Sequence, residues 1–471
     1  MTRAIGRARG ARLAGGLVSV LVLIVVAGCS GLVDVDDSAI ILPSEIDAAG
    51  PAAVPSIIFG MVGSYHEITD DITLITALLT DEMISASTFP DRLQVDDRKI
   101  PPNNLELSGL YSGIHHARFQ ADTIVSQFQR KLTGPAFKDV VDELSEGIAL
   151  GQLIGGYSRI WLSELYCWSI LTGMASEQAP LLPDTRMQQA VTFLQQAEAR
   201  AATIGAEDIR LAAIVGQARA QLWLRNYAQA SALAAQVPRS FAYDAEYSNN
   251  DHAQYNEMYV FTWGDTQPIH WTVGDGTDAL RGSERWEHLT QFKGLNLLLD
   301  RPAGKSSQSG TEVVLQTQYS RAETSILMAS GMEATLIRAE AAVRSGQAQV
   351  ARDLLNGLRA DYSLRATIRW GVPPPTAQNA LQPIQLSGNV QANVKRVADE
   401  RARELWLTGD RLTTSRRLRL DPTVSINLFP PVKTVLGGGD DIALPITQDE
   451  LDRNPNVSRA CPTGQGAGSW R

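Results

Sequence analysis

The chain has 471 residues, 44% of them hydrophobic and 20% charged, with a formal net charge of -9. That length allows a large core in one or two domains, and the mild acidity gives no electrostatic reason to bind nucleic acid. Its three cysteines, Cys29, Cys167 and Cys461, are too few for a disulfide framework and lack metal-ligand spacing.

The N-terminus carries Arg3, Arg7, Arg9 and Arg12, then an uncharged apolar run from Leu13 to Val26. A bilayer span needs about 20 residues, so this run predicts the apolar region of a signal peptide. It ends in Val26-Ala27-Gly28-Cys29, small residues before a cysteine, which is the pattern of a bacterial lipobox. Residues 1–28 are therefore expected to be removed, leaving Cys29 acylated as the first mature residue. Several acyl chains anchor stably where one is marginal. Ser30 follows the cysteine rather than an aspartate, which favours the outer membrane.

Residues 29–55, punctuated by Pro43, Pro51 and Pro55, read as a lipidated tether. Helical periodicity then dominates from 56 to 240. Met187, Ala190, Val191, Leu194 and Ala197 mark one apolar face, and Leu211, Val215, Ala218 and Leu222 the next. Cys167 lies in an apolar stretch and reads as a small buried hydrophobe; nothing in the spacing argues for a Cys167–Cys461 disulfide. His115-His116 is adjacent rather than spaced by a helical turn, so the pair reads as helix surface.

Residues 241–330 mix aromatics, Gly, Asp and Thr without a sustained helical period. An irregular excursion from a rigid scaffold is where binding residues concentrate. A ligand held by stacking and hydrogen bonds needs exposed aromatic platforms beside hydrogen-bonding groups. Tyr259, Trp263, Trp271 and Trp286, with Asp275 and Arg281, are the candidates here. Phe89 and Arg92, in a charge-rich loop from Asp81 to Asn104, are a second set.

The region 331–471 returns to helical spacing, with Ala351, Leu354, Leu355 and Leu358 on one face and Val394, Val397, Ala398, Ala402 and Leu405 on another. Asp399 and Arg403 can pair across one turn. Arg219 to Ala230 and Arg338 to Ala351 align with one residue inserted in the second, each reading as helix, short turn and helix. Asn226 or Gly346 would supply the left-handed stop, as in tetratricopeptide repeats. Gly437 to Asp441 reads as a flexible turn.

Three segments of this region share an order and spacing with a known family. They are Leu336-Ile-Arg-Ala-Glu-Ala-Ala-Val-Arg-Ser-Gly346 followed by Asn356-Gly-Leu-Arg359, then Glu400-Arg-Ala-Arg-Glu-Leu-Trp-Leu-Thr-Gly-Asp-Arg411, and Leu444-Pro-Ile446 with Asn454-Pro-Asn456. Together with the lipobox they resemble the SusD/RagB family of outer-membrane nutrient-binding lipoproteins. Thr408 stands where the family usually has Glu, and Thr447 replaces a Pro. The resemblance implies a mainly α fold, a superhelix of tetratricopeptide-like helix pairs carrying long irregular loop excursions. It implies a glycan ligand, with peptide as the second choice. It also implies a SusC-like TonB-dependent outer-membrane transporter as partner, and no catalysis; no cofactor is read from the sequence. The charges of Glu400 to Arg411 read physically as a partly buried ion-pair network, and Asn454-Pro455-Asn456 as a turn. No H-E-x-x-H, G-x-S-x-G or phosphate-loop motif is present. The alternative is a helical-repeat scaffold for protein partners without a small ligand.

Overall fold

Proline and small polar residues open the helices, and long alternations of Leu, Ile and Ala carry them. The computed structural model describes residues 43–170, 179–264, 268–273, 299–300, 306–310, 313–368, 381–386, 388–430 and 438–457. The chain divides after Ala48. In the first unit the described residues form helix α1 (Pro43–Ala48).

The second unit is mainly helical. It runs α2 (Val54–Leu79), α3 (Pro90–Asp96), α4 (Leu105–Lys131), α5 (Val141–Leu165), α6 (Pro183–Ile204), α7 (Glu207–Trp223) and α8 (Tyr227–Ala234). After an irregular stretch holding α9 (Glu257–Trp263) come α10 (Gly331–Arg344), α11 (Ala348–Ala360), α12 (Tyr362–Ile368), α13 (Val390–Glu404), α14 (Asp410–Leu420) and α15 (Gln448–Arg453). Each long helix packs on its predecessor: α4 on α2, α5 on α4, α6 on α5, α7 on α6 and α8 on α7. Helix α10 then packs on α8, α11 and α13. This is the stacked arrangement of helix pairs expected from the sequence.

Close approach explains the glycines of α5. A Cβ on Gly151 would meet Val125 of α4 at 2.7 Å, and one on Gly156 would meet Leu194 of α6 at 2.6 Å. Packing at native density leaves no room for either. The apolar face at Met187, Ala190, Leu194 and Ala197 is buried against that surface.

The two repeated segments superpose differently from their sequence alignment. In the first turn Asn226 N–H donates to Gln221 O (2.9 Å) and Arg225 N–H to Leu222 O (3.1 Å). In the second Gln347 N–H donates to Ala342 O (2.8 Å) and Gly346 N–H to Val343 O (3.1 Å). These are the paired bonds of one helix-stop motif. Arg225 (φ 63°) therefore occupies the place of Gly346 (φ 76°), and buried Ala230 that of buried Ala351. No residue is inserted, and Arg225 rather than Asn226 takes the left-handed conformation.

The charges of the last helices form a buried network. Arg401 bonds Asp410, Arg403 pairs with Glu400 and Glu404, and Arg359 pairs with Glu400 at 2.7 Å. Arg417 grips Glu340 through two bonds of 2.7 Å, and Arg219 grips Glu333 likewise. The expected Asp399–Arg403 pair does not form; Asp399 faces Lys395 (3.3 Å), because Arg403 is drawn between its two glutamates. Cys167 is buried but disulfide-bonded, not a free thiol; its partner is one of the other two cysteines, both outside the described residues.

The strands are short antiparallel pairs. Strand β1 (Ile84–Ser85) pairs with β3 (Trp271–Thr272), β2 (Ala242–Ala245) with β6 (Ile326–Ser330), and β4 (Leu299–Asp300) with β5 (Leu315–Gln316). The first pair brings the loop after α2 to the irregular stretch after α9.

Candidate ligand-binding site

The register of that pair is Ile84 with Thr272 and Ser85 with Trp271. It continues as Ala86 N–H donating to His270 O (2.8 Å). Ser306 Oγ also donates to Ala86 O (2.7 Å). Pro90 then starts α3, whose first turn holds Arg92. Asn104 locks α3 to α4: its Oδ1 accepts from Leu107 N–H (3.1 Å), while Nδ2 donates to Asp91 O (2.9 Å). The two candidate regions of the sequence, 81–104 and the excursion, thereby converge.

Their meeting point is Arg92. Its guanidinium lies 5.3 Å from the Phe89 ring, 4.8 Å from Phe261 and 5.8 Å from Trp271, within cation–π range of all three. Its Nε donates to Glu106 Oε1 (2.8 Å), on the first turn of α4. His270 stacks on Phe89 with centroids 5.6 Å apart and an interplanar angle of 26°. It meets Phe261 edge-on at 5.4 Å. His270 is buried, while Phe89 is 51% exposed. Burial and the nearby Arg92 charge push the His270 pKa down to about 4, so its ring is neutral at ordinary pH. The result is an aromatic face open to solvent with a fixed cation at its edge.

Glu106 connects this face to a cleft of about 230 Å³ lined by Asp71, Ile75, Leu105, Glu106, Gly109 and Leu110. Leu105 is strongly exposed at its rim. Beneath lie Asp70, Asp71 and Glu257, with one oxygen of each within 4.8 Å of the others. Asp70 accepts from the backbone N–H of Asp71 (2.8 Å) and of Glu257 (2.9 Å). The Asp71 and Glu257 carboxyls hydrogen bond to each other, and burial raises both pKa values. A proton shared between them is the natural state of such a pair.

The candidates named from the sequence separate into three groups. Phe89 and Arg92 form the centre of the site. Trp271 is 2% exposed, so it supports Arg92 from below and offers no face to a ligand; pairing with β1 turns it inward. Trp263 is half-buried and spends its indole N–H on Gln316 O (3.0 Å), while Tyr259, also half-buried, lies on the same short helix. Trp286, Asp275 and Arg281 lie outside the described residues. Phe261, His270, Glu106 and Asp71 were not among the candidates. Phe261 sits between Tyr259 and Trp263, and His270 precedes Trp271, so their neighbours carried the available signal.

The architecture is that of a helical-repeat body carrying a loop-built aromatic face. No protein-family model matches the sequence, and no curated protein matches it. Solved structures do. A SusD/RagB family protein from Bacteroides thetaiotaomicron superposes with a TM-score of 0.63 at 13% identity, covering 88% of this chain and 97% of its own. A putative sugar binding protein from Bacteroides vulgatus gives 0.59 at 14% identity, covering 87% and 98%. A SusD-like carbohydrate binding protein from the same species gives 0.52 at 12%, covering 79% and 84%. The chain has the SusD-like fold over most of its length.

Proposed function

We propose that this chain is a lipid-anchored nutrient-binding protein of the SusD/RagB type, which holds an oligosaccharide at the cell surface and passes it to a TonB-dependent transporter. The observation that carries the binding role is the exposed Phe89 ring, backed by His270 and edged by the Arg92–Glu106 pair, opening onto a cleft. An aromatic face takes the C–H side of a sugar ring. Arg92, Glu106 and Asp71 are spaced along the same strip to bond its hydroxyls. Such a site is a concave apolar wall with a few placed polar groups. Two of the fold's relatives carry sugar or carbohydrate binding in their descriptions, which supports the same ligand class.

Anchoring rests on the lipobox at Cys29. Among the described residues no helix is long and apolar enough to cross a membrane, consistent with attachment through lipid. The reading assigns no catalytic step. A panel of immobilised oligosaccharides and peptides, probed with the mature protein, tests it. Binding to a glycan class, weakened by Phe89→Ala and by Arg92→Gln, is the expected result. Binding confined to peptides would transfer the site to the second ligand class, and product formation from a glycan would overturn the non-catalytic reading. Recovery of a large outer-membrane barrel on purification from native membranes is the expected result for the transporter partner.

A further inference from the structure

At the start of α6 lies a buried cation with no counter-charge among the described residues. Arg186, in the first turn of α6, is 0% exposed. Its Nη1 donates to Ser169 Oγ, but Nε and Nη2 are buried without a hydrogen-bond partner. Burial, opposed by Tyr111 and reinforced by the nearby Arg416 charge, lowers its pKa to about 9. Arg416 is itself buried, with Nη1 donating to the carbonyls of Ser163, Glu164 and Tyr166 at 2.9–3.0 Å. Two guanidiniums therefore lie together at the end of α5.

The groups around Arg186 are also unsatisfied. Tyr166 Oη and His115 Nε2 are buried without partners. Between them lies the Tyr111 ring, 4.4 Å from His115 and 5.1 Å from Tyr166. Trp168, one residue before Ser169, has a buried Nε1 with no acceptor. His115 was expected on the helix surface; instead it packs on Tyr111, and burial with the charges of Arg118, Arg186 and Arg159 holds it neutral. Every orphan atom here is a donor or can act as one.

Glu164 and Asp184 direct their charge at Arg416, and among the described residues no acid acts on Arg186 in the same way. Asp122 is held by Arg118 (2.9 Å) and Arg159 (2.8 Å). Glu450 is half-buried and acts on Tyr111, whose hydroxyl is also buried without a hydrogen-bond partner. Among the described residues no carboxylate pairs with Arg186. A buried ion without a partner costs several kcal/mol, and buried polar groups are nearly always satisfied. A collection of donors around an uncompensated cation calls for an acceptor carrying negative charge.

We infer that Arg186, with the orphan donors beside it, forms a buried binding site for a small monovalent anion of chloride size. The anion would accept from Arg186 Nε and Nη2 and neutralise Arg186, beside the Arg416 that clamps the end of α5. Its role is to complete the packing of α5 and α6 around Ser169, apart from the Arg92 face.

Bromide is the direct probe. Crystals of the wild-type mature protein transferred from chloride to bromide should show an anomalous peak within hydrogen-bonding distance of Arg186 Nε and Nη2. Water alone at that position, or no density, would overturn the inference. In solution, the melting temperature should rise by a few degrees on replacing sodium gluconate with sodium chloride at equal ionic strength. Arg186→Met should abolish that difference while leaving glycan binding at Phe89 in place. An equal chloride effect in the variant counts against the site. If the variant fails to fold, the wild-type bromide map decides.

Discussion

The two rings on either side of Arg92 should separate folding from binding when truncated. Trp271 is 2% exposed and Phe89 51%, although both lie within 6 Å of the same guanidinium. Truncating a fully buried Phe or Trp to Ala costs about 3–5 kcal/mol. A half-exposed ring has roughly half its surface to lose, so Phe89→Ala should cost at most about 1.5–2.5 kcal/mol. With a urea m-value of about 3 kcal/mol/M, Trp271→Ala should lower the unfolding midpoint by about 1 M or more. Phe89→Ala should shift it far less. Binding should show the reverse weighting. Loss of a stacking face worth about 1–1.5 kcal/mol weakens a glycan about tenfold, measured by calorimetry on the best oligosaccharide from the panel. Trp271→Phe is the control: it keeps a ring under Arg92 and removes an indole N–H that is buried without an acceptor, so stability should change by less than about 1.5 kcal/mol. The reasoning fails if Phe89→Ala lowers the midpoint as much as Trp271→Ala, or if Trp271→Ala leaves it unchanged.

His270 has a pKa near 4 in the folded chain against about 6.5 unfolded. The unfolded state therefore takes up the proton first, and stability falls as pH drops from about 6.5 towards 4; an NMR titration of the ring with a midpoint above 6 would contradict the burial argument. Asp441 is pushed up to about 7 by burial and the neighbouring Asp440, so its contribution is present at low pH and lost as pH rises through 7. Asp441→Asn keeps an acceptor for Ile100 N–H and should make the urea midpoint flatter between about pH 4 and 7; identical slopes for both proteins would count against it. Glu340→Gln removes the carboxylate that Arg417 grips, while Arg344 keeps Asp421 (2.8 Å), and should destabilise by about 3–5 kcal/mol, read from urea unfolding. Cys29→Ser should move the protein from the detergent to the aqueous phase on Triton partitioning. Acylation of Cys29 would leave Cys461 as the partner of Cys167, which a non-reducing peptide map reads directly; a Cys29–Cys167 peptide would exclude the lipid.

The fold was legible because its signals are local and repeated. Faces such as Met187 to Ala197 follow the helical period, and burial of that face is what stabilises each helix in the stack. Register was less legible. Matching Arg219 to Arg338 by identity requires an insertion, whereas hydrogen bonding aligns the turns at Arg225 and Gly346 without one. Identity of side chain misled because the turn constrains backbone conformation, and an arginine held at φ 63° leaves no glycine to mark it. The same limit applies at Gly439. The glycine run there looks flexible in isolation, yet Gly439 N–H donates to Asp97 O (2.8 Å). A Cβ at that position would lie 2.4 Å from Arg98 O. The glycine is needed for close approach to a loop more than three hundred residues away, and no local pattern encodes that.

The candidate site follows from the same division. Phe89 and Arg92 could be named because an exposed aromatic beside charges is unusual in a loop. Their partners could not, because Glu106 belongs to a helix and His270 to an irregular segment, and only the pairing of β1 with β3 brings them together. The family-like motifs contribute indirectly. Arg401, Asp410, Glu340 and Arg417 are buried in the network at the last helices, where removing one partner is costly. They fix the body while touching none of the site's aromatic residues in the contacts described. Loops fastened to such a body by a few backbone bonds, such as Ala86 to His270, can exchange side chains with little cost to the fold. Ligand identity should therefore track the residues at positions 89, 92, 261 and 270, and grafting those four from one SusD-like protein to another should transfer glycan preference. Unchanged preference in a folded graft would place the determinants elsewhere in the excursion.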